Sequence, residues 1–170
     1  VAMAQSDAAF LAAAARDDSA ALSAMLAAGQ PVDTRDGRQR TALLVATYAN
    51  ALCAAEVLVA AGADVNAKDD REDTPYLYAG AEGRTEILKL LLRSGADVRD
   101  TNRFGGTALI PAAEKGHPEA VRLLIAAGVD VNHVNRLGWT ALLEAVLLSD
   151  GGRVHREIVA ALIDGGADVN

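Results

Sequence analysis

Apolar residues along this chain fall into short stretches of helical spacing, and the stretches come in pairs. The first member of each pair opens on a threonine: "TALL" at Thr41, "TPYL" at Thr74, "TALI" at Thr107 and "TALL" at Thr140. The second ends in a glycine, as in "AAEVLVAAG", "EILKLLLRSG", "EAVRLLIAAG" and "EIVAALIDGG". Apolar positions so spaced share one helical face, and a glycine just past the end supplies the left-handed conformation that closes a helix. Each threonine hydroxyl can accept a backbone N–H as an N-cap, and Pro75 fits a first helical position. Between pairs, "ADVN", "ADVR" and "VDVN" lead into turns opened by Asp36, Asp69, Asn102 or Asn135, side chains that bond their own backbone in turns. Each unit therefore predicts helix, helix and projecting hairpin.

The units are periodic. The threonines step by 33 residues, and the glycines Gly29, Gly62, Gly95, Gly128 and Gly166 step by 33, 33, 33 and 38. Five residues past each threonine stands Ala46, Ala79, Ala112 or Ala145, a place where only a small side chain lets one helix lie on the next. A helix pair of this kind cannot cover its own apolar face, so stability must come from stacking on its neighbours. The last step is long because residues 150–154 are inserted: Ser149 takes the place of Gly116, and His155 that of His117. Leu147 and Leu148 predict that the first helix runs longer here, until Gly151-Gly152 ends it.

Composition narrows the reading to a soluble, helical array. Of the 170 residues, 51% are apolar, many of them alanine, and only 4% aromatic, so the core is built from small and aliphatic side chains. A formal charge of −7 argues against nucleic acid as a partner. No apolar run approaches the ~20 residues needed to insert into a membrane. The single cysteine, Cys53, excludes an internal disulfide. It stands where Glu86, Glu119 and Glu157 stand in other units, at a second-helix start that can depress a thiol pKa. Ala2-Met3-Ala4 before Gln5 has the small-x-small form of a signal-peptidase site, which leans the localisation toward export to the periplasm, with the cytoplasm as the alternative.

These motifs resemble the ankyrin repeat, whose consensus runs D-x-x-G-x-T-P-L-H-x-A-A, then a second helix ending L-L, then G-A-D-V-N. The resemblance spans about Ser6 to Asn170. It implies an all-α solenoid of helix-turn-helix units with projecting hairpins, about five repeats forming one domain. Residues 5–32, which lack the threonine motif, look like an amino-terminal cap; 33–65, 66–98 and 99–131 are full repeats; and 132–170 is a repeat carrying the insertion. The family histidine is replaced by Leu44, Leu77, Ile110 and Leu143, so apolar contact must substitute for its hydrogen bond. The hairpin glycine is kept as Gly105 and Gly138 but replaced by Gln39 and Glu72, and those two turns should differ; Asp36-Gly37 could shift the first one forward. Pro111 should distort its helix locally.

Catalytic chemistry finds no support in the residues. His117 and His155 occupy equivalent positions, His133 is isolated, and no motif joins nucleophile, base and orienting acid. No ligand spacing fits zinc, the acidic tip "KDDREDT" lacks the turn glycine of a calcium loop, and no cofactor is expected. The resemblance instead implies an unidentified protein partner, bound on the concave side by a monomeric scaffold. Carried over by register, the presented residues are Arg35, Arg38, Arg40 and Tyr48, then Lys68, Arg71, Asp73 and Glu82. The third unit offers Arg103, Phe104, Glu114 and Lys115, and the fourth Arg136, Leu137, Trp139 and Leu148. Aromatics and arginine dominate protein-binding energetics, and the tips change sign from "RDGRQR" at +2 to "KDDRED" at −2. Two alternatives stand beside this: an anion site at Gly151, Gly152, Arg153 and Arg156, and a structural spacer within a longer protein.

Overall fold

In the computed structural model, which describes residues 4–170, five helix pairs stack in chain order. They are α1 (Gln5–Ala15) with α2 (Ser19–Ala27), α3 (Ala42–Tyr48) with α4 (Leu52–Ala60), and α5 (Pro75–Ala81) with α6 (Thr85–Arg93). Then come α7 (Leu109–Glu114) with α8 (Pro118–Ala126) and α9 (Ala141–Leu147) with α10 (Arg153–Asp164). First helices pack on first helices and second on second, and the four stacking alanines are fully buried between them. The apolar replacements for the histidine do bury: Leu44, Leu77 and Ile110 lie inside, whereas Leu143 of the last unit is 43% exposed. Ala2 and Met3 of the cleavage-like motif lie outside the described residues.

Local sequence explains where the helices start. The hydroxyls of Thr41, Thr74 and Thr140 accept the N–H of Leu44, Leu77 and Leu143 at 3.3, 3.0 and 3.2 Å. Thr107 does not, which corrects the expectation of four equivalent caps. In the other units the threonine carbonyl accepts an N–H from the residue four on, Val45, Tyr78 or Glu144. In the third unit that residue is Pro111, which has no N–H. The Thr107 carbonyl takes the N–H of Ile110 instead, at 3.3 Å, and the buried hydroxyl is left without a partner. Helix α7 begins one residue late, at Leu109, so that Pro111 falls in the first turn, where no donor to the helix's own ladder is needed.

The hairpins are alike, contrary to expectation. Gln39 and Glu72 adopt φ of 60° and 62°, the same left-handed region as Gly105 and Gly138, while Gly37 does not. In every unit the opening Asp or Asn side chain accepts two N–H bonds from the turn: Asp36 from Arg38 and Arg40, Asp69 from Arg71 and Asp73, Asn102 from Phe104 and Gly106, Asn135 from Leu137 and Trp139. These bonds hold the turn shape and override the preference of the residue at the left-handed position.

The insertion also folds otherwise than expected. Helix α9 has 7 residues, the same as α3 and α5. Of the inserted residues, 150–152 form a turn and Arg153 and Val154 extend α10, which has 12 residues against 9 in α8 and begins at Arg153. Helices α3, α5 and α9 keep one length, each stacked side by side on neighbouring first helices, and the helical extension appears at the start of α10 instead.

Candidate functional site

The hairpins and the first helices enclose a groove of about 630 Å³ across the second to fourth units. Its floor comes from two register columns on the first helices. Tyr78, Pro111 and Glu144 share one column and lie on the same helical face as the column of Tyr48 and Glu114, three residues on. One wall is made by the hairpins, with Arg71, Asp73, Arg103, Phe104, Leu137 and Trp139. Glu82, Lys115 and Leu148, from the ends of the first helices, close the other side.

Tyr48 and Tyr78 meet edge to face, with ring centroids 4.0 Å apart, and the Arg40 guanidinium lies 5.7 Å from the Tyr48 centroid. Burial, with Asp73 and Asp69 close by, pushes the Tyr48 phenol up to about 12, so it remains a hydrogen-bond donor at neutral pH. Arg103 stacks on its neighbour Phe104 at 4.7 Å. Lys115 pairs with Glu82 across one repeat.

Two carboxylates on this surface stand above their usual range. Burial raises Asp73, with Asp69 adding to the shift, while Arg71, Arg103 and Lys115 oppose it. Asp73 occupies the register position of Arg40, which pairs with Asp36 at 2.7 Å. Where that pair would be repeated, the second unit has two acids, and the inner oxygen of Asp69 is buried without a partner. Glu144 is raised by burial and then by Glu114, with the Asn135 side-chain amide the one favourable neighbour.

Several residues expected to face a partner hold the array together instead of lining the groove. Arg35 Nη1 donates to the Lys68 carbonyl at 2.7 Å, Lys68 Nζ to the Thr101 carbonyl at 3.1 Å and to Asp100, and Arg136 Nη1 to the Arg103 carbonyl at 2.6 Å. Arg38 stands exposed on the outer tip and Arg40 is turned onto Asp36. Phe104 and Leu137 keep exposed side chains. Tyr78 and Glu144 line the groove and were not singled out from sequence; the signal was their spacing of three from the Tyr48 column.

The histidines belong to the scaffold. His155 Nε2 lies 3.1 Å from the Glu114 carbonyl, His133 Nε2 lies 2.7 Å from the Gly105 carbonyl, and a side chain on Gly83 would sit 2.6 Å from His117 Nδ1. Arg84, at the register position of His117, reaches the Tyr48 carbonyl at 3.3 Å. In the inserted turn, the Asp150 carboxylate accepts the Gly152 N–H at 2.8 Å, and Arg153 pairs with Glu157 at 3.0 Å. Among the described residues no cluster of three or more His, Cys, Asp or Glu is placed to hold a metal ion, and no helix is long and apolar enough to cross a membrane. Cys53 is exposed.

Comparison with known proteins follows the same register. A family model described as ankyrin repeats (3 copies) matches residues 9–102 and 76–170. Among solved structures, the chain is similar to an ankyrin repeat domain from Acinetobacter baumannii AYE, with 57% identity and a TM-score of 0.90, over 94% of this chain and 81% of that one. It is also similar to EF0377, described as an ankyrin repeat protein, with 42% identity and a TM-score of 0.88 over the same shares. Both neighbours are bacterial. No curated protein matches the chain.

Proposed function

This chain belongs to the ankyrin repeat family, whose members are in general protein-interaction scaffolds, and from that membership we infer that the groove is where a protein partner docks. The observation that carries this reading is the convergence of Tyr48, Tyr78, Arg103, Phe104 and Trp139 on one recess, in a chain with only six aromatic residues. Aromatics and arginine are the types that concentrate binding energy, and a scaffold with so few of them spends them on a surface only at a cost in burial. The partner is a protein rather than nucleic acid, because the groove alternates in sign and the chain is acidic overall. No step of chemistry is assigned to it.

The test is affinity capture from a bacterial lysate with the intact chain and with Tyr48→Ala, Arg103→Ala and Trp139→Ala, read by quantitative mass spectrometry. Each variant is first checked for helicity and melting. Proteins retained by the parent should fall by about tenfold or more with at least one folded variant. Retention unchanged across all three would place the docking surface elsewhere.

A further inference from the structure

The groove is uneven in charge, and its unevenness specifies what it accepts. At the second unit, Asp73 is compensated by Arg71, Arg103 and Lys115. At the fourth unit there is no such compensation. Glu144 is only 6% exposed yet lines the groove, and it makes no ion pair among the described residues. The charged group acting on it is another carboxylate, Glu114, from the preceding first helix. Arg136 donates to the Arg103 carbonyl, Lys115 pairs with Glu82, and Arg153 pairs with Glu157, so none of these three is paired with Glu144. A carboxylate that is buried, faces an open recess and lacks a counter-ion is costly to maintain unless a ligand supplies the missing charge.

The walls select the shape of that charge. Trp139, Leu148 and Pro111 border the same recess as Glu144 and Glu114. An indole face attracts a cation, and a planar guanidinium can stack on it while donating to two carboxylates at its edge, which an ammonium cannot do as well. We propose that the fourth-unit end of the groove is a recess for an arginine side chain of the docked protein, held between Trp139 and the Glu144–Glu114 pair. The inference rests on the docking reading above, and names the chemistry of one contact within it.

Trp139 is the only tryptophan in the chain, so its indole N–H is a single reporter at this recess. The experiment titrates acetyl-arginine-methylamide, and separately its neutral citrulline counterpart, into the 15N-labelled full chain while following that resonance. The arginine probe should produce a saturable shift, with apparent affinity at least about tenfold above that of the citrulline probe. Glu144→Gln, which keeps shape and removes charge, should abolish that preference, and Glu114→Gln should reduce it. No response to the arginine probe, an equal response to both probes, or an intact preference in Glu144→Gln overturns the proposal. The docking reading fails by a different result, unchanged capture by the groove variants, so the two can be told apart.

Discussion

Replacing Pro111 by alanine should make the protein more stable, although the position lies in a helix where proline is already accommodated. The present arrangement leaves the Thr107 carbonyl with a 3.3 Å bond from Ile110 and the Thr107 hydroxyl buried and unpartnered. An N–H at residue 111 would satisfy that carbonyl, as Val45, Tyr78 and Glu144 do in their units, and free the Ile110 N–H for the hydroxyl. The recovered backbone bond contributes about 1 kcal/mol, and relief of the buried hydroxyl about 1 kcal/mol more. Losing proline lets the unfolded chain gain freedom and offsets roughly 0.4–1 kcal/mol. The net expectation is about 1–1.5 kcal/mol, or roughly 3–5 °C in a chain of this length. Because repeat arrays open locally, amide exchange at residues 110, 112 and 113 is the sharper assay, and protection there should rise more than in α3 or α5. Thr107→Val provides the control: nearly neutral in the parent chain and costly, by about 1 kcal/mol, once Pro111 is alanine. A Pro111→Ala chain that melts no higher, with unchanged exchange in α7, would refute the account of the displaced helix start.

Gln39→Gly and Glu72→Gly should each stabilise the chain by about 0.5–1 kcal/mol in chemical denaturation, since both residues sit at φ near 60° where a side chain is strained. Glu144→Gln should raise stability at neutral pH, because burial and the neighbouring Glu114 both disfavour the carboxylate that the variant removes. The sign follows from linkage: a carboxyl whose folded pKa is raised binds its proton more tightly in the folded state. Glu144 therefore subtracts from stability above its folded pKa and ceases to do so below the ordinary glutamate range. Melting curves of parent and variant should converge as pH falls through that window, and a gap that persists at pH 3 would contradict the assignment.

The period made most of the fold legible, and the misses have physical causes. The stacking alanine at the phase of Ala46 and the turn-opening Asp or Asn at the phase of Asp36 recur because each meets the same surroundings in every full unit; the threonine recurs too, although Thr107 makes no cap bond. Tyr78, Pro111 and Glu144 of one column line the groove, while Val45 at the same phase packs against the core, so the column holds no single residue type and carries no repeating signal. Tyr78 and Glu144 are legible only from their spacing of three from the Tyr48 column. The turns at Gln39 and Glu72 are not legible from local preference, because the paired N–H bonds to Asp36 and Asp69 set their shape. Leu147 and Leu148 are good helix formers and predict a longer α9, but α9 ends at Leu147, the phase at which α3 and α5 also end, and the extension falls on α10.

The same division sorts stability from function. Columns facing a neighbouring unit are filled by alanine, leucine and paired hydrogen bonds, and a change there is felt through the whole stack. Columns facing the groove hold the departures that lower stability: two acids where the first unit has an ion pair, a proline where a donor would serve, and a buried glutamate beside another glutamate. None of these is required to stack the repeats, since other units do without them at the same positions. Their concentration on one surface is what a binding face requires, because groups left unsatisfied in the free protein are those whose satisfaction can favour a complex. The stabilising direction expected for Pro111→Ala and Glu144→Gln is therefore one pattern, stability held back at positions that line the groove.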